Sequence, residues 1–105
     1  MHYKISKLPK KEVIKGFTGR FIHGEHFTLA FWEIEAGAEL PEHSHPHEQS
    51  TQVLEGELEM TIDGKTNSYK PGMVAIIPPH SKHSGKALTR CKVTDIFSPV
   101  REDYK

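Results

Sequence analysis

An all-β fold, a small sandwich or barrel, is predicted by three observations. Short runs of β-branched, aromatic and aliphatic residues recur between Gly, Pro and Asp-Gly punctuation. Several of these runs alternate apolar with polar side chains, the period of a strand with two unlike faces. Nothing longer than a turn or two carries helical periodicity, and no internal repeat stands out. Strands of this length separated by turn residues suit a small closed or two-layered β-structure.

The elements follow in order. Residues 1–26 are the least readable, since Lys7 to Lys15 is basic and interrupted by Pro9, which suits a solvated arm or an N-terminal strand that pairs with a second subunit. Phe27 to Ala36 is a strand ending at Gly37. Thr51 to Glu55 and Glu57 to Ile62 alternate and form two more. Ile62-Asp63-Gly64-Lys65 predicts a hairpin, because Asp-Gly tolerates the positive φ angles of a type I′ turn. Lys70-Pro71-Gly72 marks a turn, and Val74 to Ile77 reads as a short buried strand stopped by Pro78-Pro79. Lys92 to Phe97 alternates again before Pro99. The expected organisation is one domain over 1–105, with an N-terminal arm or strands at 1–26, a barrel core at 27–98 and a tail at 99–105.

Composition narrows the function. The chain has 105 residues, of which 35% are hydrophobic, enough for one compact core. Fourteen basic residues balance fourteen acidic ones, so no charged face argues for nucleic acid. Cys91 is the single cysteine; it is expected to be a small buried residue on a late strand, and it allows no intrachain disulfide. No apolar run reads as a signal peptide or a membrane span, so a cytoplasmic protein is expected.

The run His43-Ser44-His45-Pro46-His47-Glu48-Gln49, followed by His83, carries the chemistry. It supplies imidazoles and an amide oxygen at spacings that can close on one metal ion. Neutral imidazole is the commonest protein metal ligand. In an extended segment His43, His45, His47 and Gln49 would share one face, with Glu48 facing away. A surface tract of solvated histidines is the other reading. Three neutral imidazoles and a neutral amide would leave a divalent ion its full charge, making it a strong Lewis acid. Zinc, nickel, manganese, cobalt, copper and iron all remain open. His47 is expected to be a pocket residue behind the ligands, and His80 a loop residue at the barrel mouth.

The surrounding glycines and prolines carry a resemblance. Gly37, five residues, His43-Ser44-His45, three residues, Gln49, six residues, Gly56 resembles the first cupin motif. Gly72, five residues, Pro78-Pro79-His80-Ser81-Lys82-His83 resembles the second, with fifteen residues between the two. Gln49 stands where that family usually has Glu, and His80 where it usually has Gly. The resemblance covers about residues 27–98 and implies a double-stranded β-helix, a jelly-roll-like barrel. It also implies a homodimer, since small cupins hide free strand edges by pairing, and such edges are otherwise a liability.

The C-terminal stretch Thr94-Asp95-Ile96-Phe97-Ser98-Pro99-Val100-Arg101-Glu102-Asp103-Tyr104 has two readings. Asp95 and Phe97 share a strand face and Arg101 could return over the barrel mouth, or the segment is a solvated tail with a core Phe. Taken with the histidine run, the stretch is similar to the KdgF family of small cupins. That family opens the ring of 4,5-unsaturated uronate monosaccharides released from pectin and alginate, giving linear 4-deoxy-5-keto-uronates. The resemblance implies one divalent metal on His43, His45, Gln49 and His83, with Asp95 and Arg101 catalytic and Phe97 as an apolar wall. It assigns a pocket Gln to Gln52, although Gln52 has the opposite parity to Gln49. A small sugar acid is the implied ligand. A non-catalytic sugar-acid or metal-binding module and a metal-dependent dioxygenase are the other classes that fit.

Overall fold

The computed structural model describes residues 1–105 as ten strands and two single-turn 3-10 helices, η1 (Ile5–Lys7) and η2 (Glu102–Tyr104). The strands are β1 (Lys11–Ile14), β2 (Phe17–His23), β3 (Thr28–Ile34), β4 (Glu39–His43), β5 (Glu48–Glu55), β6 (Leu58–Ile62), β7 (Lys65–Tyr69), β8 (Val74–Ile77), β9 (His83–Ala87) and β10 (Cys91–Ser98). They form a six-stranded sheet in the order β1-β2-β3-β10-β5-β8 and a four-stranded sheet in the order β4-β9-β6-β7. All the pairings are antiparallel. This is the jelly-roll-like barrel the two motifs imply.

Alternation builds the interior. From β3, Ala30, Trp32 and Ile34 point inward; from β10, Cys91, Val93 and Phe97; from β5, Val53. Leu58 and Met60 of β6 and Ala87 of β9 close the core from the other sheet. Removing such side chains from water supplies most of the drive to fold, at about 1.5–3 kcal/mol for each large residue. Cys91 is fully buried in this core as a free thiol, and burial raises its pKa.

The predicted hairpin is present, with Ile62 opposite Lys65 and both turn residues at positive φ, Asp63 at 48° and Gly64 at 82°. Gly56 turns the chain between β5 and β6 at φ 87°, and a Cβ there would overlap the Arg90 carbonyl oxygen. Gly56→Ala is therefore expected to destabilise the fold by about 3 kcal/mol, from left-handed strain plus overpacking. Chemical denaturation measures this, and a loss under about 1 kcal/mol would show that the loop relaxes freely.

Three expectations are corrected. Residues 11–23 are more than an arm, because β1 pairs with β2 and β2 with β3 in the same chain. Val74 to Ile77 is not buried on both faces: Ala75 and Ile77 face the core, while Val74 and Ile76 are exposed on the outer face of the edge strand β8. An apolar run alone does not separate a doubly covered strand from a singly covered one. The last residues are not a solvated tail, since Arg101 is 7% exposed and Tyr104 packs against Phe21, Trp32 and Phe97.

Candidate metal centre and cavity

Strand register sets the site. Across the inner face of the six-stranded sheet, Ala30, Asp95, Thr51 and Ala75 form one row. The next row is Thr28, Phe97, Gln49 and Ile77. Polar groups thus sit at the inner ends of otherwise apolar strands, and the two alanines leave room beside Asp95 and Thr51. In the facing sheet, His43 of β4 pairs with His83 of β9. Gln49 and the two histidines therefore approach from opposite layers.

His45 reaches the same point by a different route from the one expected. Residues 44–47 are not strand, so shared strand parity does not hold across the run. The chain crosses there from the four-stranded to the six-stranded sheet, carrying His45 between them. The His45 carbonyl accepts from the backbone N–H of His80, tying the first motif loop to the second. His80 has φ 67°, the left-handed conformation that makes glycine the usual occupant, and histidine tolerates it better than most residues. It is exposed and takes no part in the cluster.

The ligand atoms of His43, His45 and His83 lie within 4.8 Å of one another. Each ring is aimed by the same device, an Nδ1–H donated to a backbone carbonyl two residues away. The partners are Pro41 for His43 at 2.9 Å, His47 for His45 at 3.1 Å and Ser81 for His83 at 2.8 Å. With Nδ1 occupied, Nε2 is the free lone pair on every ring, as metal-binding histidines require.

Two observations test whether these residues fit a cation. The Nε2 of His83 is buried with no protein partner. The Nε2 of His45 lies 3.0 Å from Oε1 of Gln49, whose amide N–H is committed to the Thr51 hydroxyl at 2.9 Å. Burial, then the nearby Arg101 and His83, lower the pKa of His45 to about 4, so its ring is neutral near pH 7. Burial also lowers that of His83. Two acceptor lone pairs thus face each other at His45 and Gln49, an arrangement that a shared cation satisfies. His43, His45, His83 and Gln49 fit one divalent ion.

A cavity of about 230 Å³ opens beside this cluster, lined by His43, His83 and Gln49 and also by Asp95, Phe97 and Arg101. Trp32 Nε1–H donates to Oδ2 of Asp95 at 3.0 Å, while Oδ1 is buried without a partner. Burial raises the Asp95 pKa to about 6, against the opposing pull of Thr51, Trp32 and Gln49. The Arg101 guanidinium lies over the Phe97 ring at 4.6 Å and the Tyr104 ring at 4.1 Å.

The structure thus brings His43, His45, Gln49, His83, Asp95, Phe97 and Arg101 together. Gln52 stands apart, because it is exposed on the outer face of β5 and does not line the cavity. The inward neighbour of Gln49 is Thr51. His47 is outside the ligand cluster, with Nε2 3.2 Å from the Val100 carbonyl oxygen. Trp32 and Thr51 were missed as site residues although their strand parity could have found them. Asp103 and Tyr104 were also missed, and no periodic signal marks them.

The comparisons agree with this fold. The cupin-domain family profile matches residues 30–97, and the chain belongs to the cupin family. The solved structure of KdgF from Halomonas sp. is similar to it with a TM-score of 0.94 at 25% identity, over 100% of this chain and 98% of that one. An RmlC-like cupin from Shewanella frigidimarina NCIMB 400 gives a TM-score of 0.93 at 26% identity, over 100% and 96%. L-ectoine synthase of Saccharophagus degradans is 33% identical over 75 residues, 70% of this chain. The chain spans 57% of that curated relative. No helix is long and apolar enough to cross a membrane.

Proposed function

We propose that this cupin opens the ring of 4,5-unsaturated uronate monosaccharides, using a divalent metal held by His43, His45, Gln49 and His83. One observation carries the reading. His43, His83 and Gln49 line one cavity together with an unpartnered carboxylate oxygen on Asp95 and an unpartnered guanidinium nitrogen on Arg101, and His45 completes the imidazole cluster. The likeness to the Halomonas KdgF supports it.

The substrate is a cyclic hemiacetal whose ring oxygen is also an enol ether oxygen. Opening needs a base, an acid and charge stabilisation, with no net redox change. Asp95 Oδ1 accepts the proton of the C1 hydroxyl as the bond between C1 and the ring oxygen breaks. C1 becomes an aldehyde, and the bond's electron pair leaves an enolate on C5. Asp95 then returns the proton to C4, and C5 becomes a ketone. Atoms and charge balance, since product and substrate are isomers. A pKa near 6 suits a group that must both take and give a proton near neutrality. Arg101 attracts the substrate carboxylate, and Phe97 walls the cavity. A bound divalent ion would supply Lewis-acid stabilisation of developing negative charge.

Incubating the metal-loaded protein with an unsaturated monouronate tests this, followed by proton NMR with and without air. Loss of the H4 alkene signal and gain of a C4 methylene, at equal rates in both atmospheres, is expected. Oxygen uptake would indicate a dioxygenase instead, and an unchanged spectrum with ligand bound would indicate a binding module. Gln49→Glu is expected to keep or tighten metal binding yet lower turnover, because added negative charge weakens the ion's Lewis acidity and repels an anionic substrate. Equal or higher turnover in that variant counts against a metal acting on a uronate.

A further inference from the structure

Arg101 does not meet the cavity with its side-on edge. That edge is taken by Asp103, with Nε donating to Oδ1 at 2.9 Å and Nη2 to Oδ2 at 2.7 Å. The two aromatic rings hold the guanidinium plane, and the Arg101 backbone N–H donates to the Thr28 hydroxyl at 2.9 Å. What remains is the end-on edge, on which Nη1 is buried and without a partner. Asp103 and Tyr104 line the same cavity, so the short η2 turn forms part of its wall.

We propose that Asp103 is a positioning residue, which holds Arg101 so that an anionic ligand is met by the end-on edge of its guanidinium, Nη1 and the second N–H of Nη2. Side-on capture of a carboxylate through Nε and Nη2 is blocked, because Asp103 already forms that pair, whereas the end-on pair of N–H groups stays open. This inference rests on the uronate reading only for the identity of that anionic ligand.

The experiment is a titration of the metal-loaded protein with galacturonate, a saturated uronate that cannot react. Wild type, Asp103→Asn, Arg101→Lys and the double variant are compared. Asp103→Asn is expected to weaken galacturonate binding about tenfold, the scale of one partly exposed charge-assisted contact. For the unsaturated substrate, KM should rise by a similar factor while kcat changes by less than about threefold, the pattern of lost ground-state binding. In the Arg101→Lys background, adding Asp103→Asn should cost less than about twofold, because residues acting through one another are not additive. Unchanged galacturonate affinity in Asp103→Asn overturns the proposal, as does full additivity in the double variant. The titration requires no turnover, so a protein that binds galacturonate but fails to open unsaturated uronates refutes the catalytic reading and leaves this one standing.

Discussion

Replacing Asp95 with Asn is expected to collapse turnover while the fold, the metal and most substrate affinity survive. The two side chains are nearly isosteric, and the Asn side-chain oxygen can still accept from Trp32 Nε1–H. What Asn cannot do is take a proton at the buried, unpartnered Oδ1 position and give it back. General acid–base groups contribute roughly 10²–10⁴-fold to rate, so the loss should exceed any effect of small packing changes. Near wild-type ring opening in this variant would assign the proton transfer to another group in the cavity.

His45→Ala is expected to have the largest effect on metal content. His45 lies between the sheets, its Nδ1 committed to the His47 carbonyl and its Nε2 facing Gln49. Removing even a partner that merely orients a ligand costs about 10–100-fold in metal affinity. Losing a ligand itself should cost more than about 100-fold by the same comparison. Metal analysis after dialysis against a weak chelator measures this, with circular dichroism confirming the fold. Retention of one tightly held metal per chain would remove His45 from the ligand set.

Much of this site was legible because two sequence signals coincide. Period-two alternation placed Asp95 and Phe97 on one inner face, and the structure sets them there in neighbouring rows with Thr51 and Gln49. The motif spacing brought His83 to His43 across β9 and β4. Parity failed where the chain is not a strand. His45 converges through an interlayer crossing, and His47 turns to the Val100 carbonyl instead of the cluster. Gln52 was drawn in by its likeness to a family residue, whereas its parity already placed it outside. The role of Asp103 was hidden because side chains after Pro99 follow no period, and their contacts depend on how a short turn folds back over the barrel.

The exposure of Val74 and Ile76 has a related cause. An edge strand with one covered face and apolar residues on both reads in sequence like a central one. Only the placement of β8 at the end of the six-stranded sheet distinguishes the two.

The most direct measurement of the central claim is the rate of alkene absorbance loss from an unsaturated monouronate as metal-stripped protein is titrated with a divalent ion. The rate should begin near background, rise linearly and reach a plateau at one ion per chain, with Asp95→Asn flat throughout. Full activity in stripped protein, or no alkene loss at any metal loading, would contradict a metal-dependent ring-opening site in this cavity.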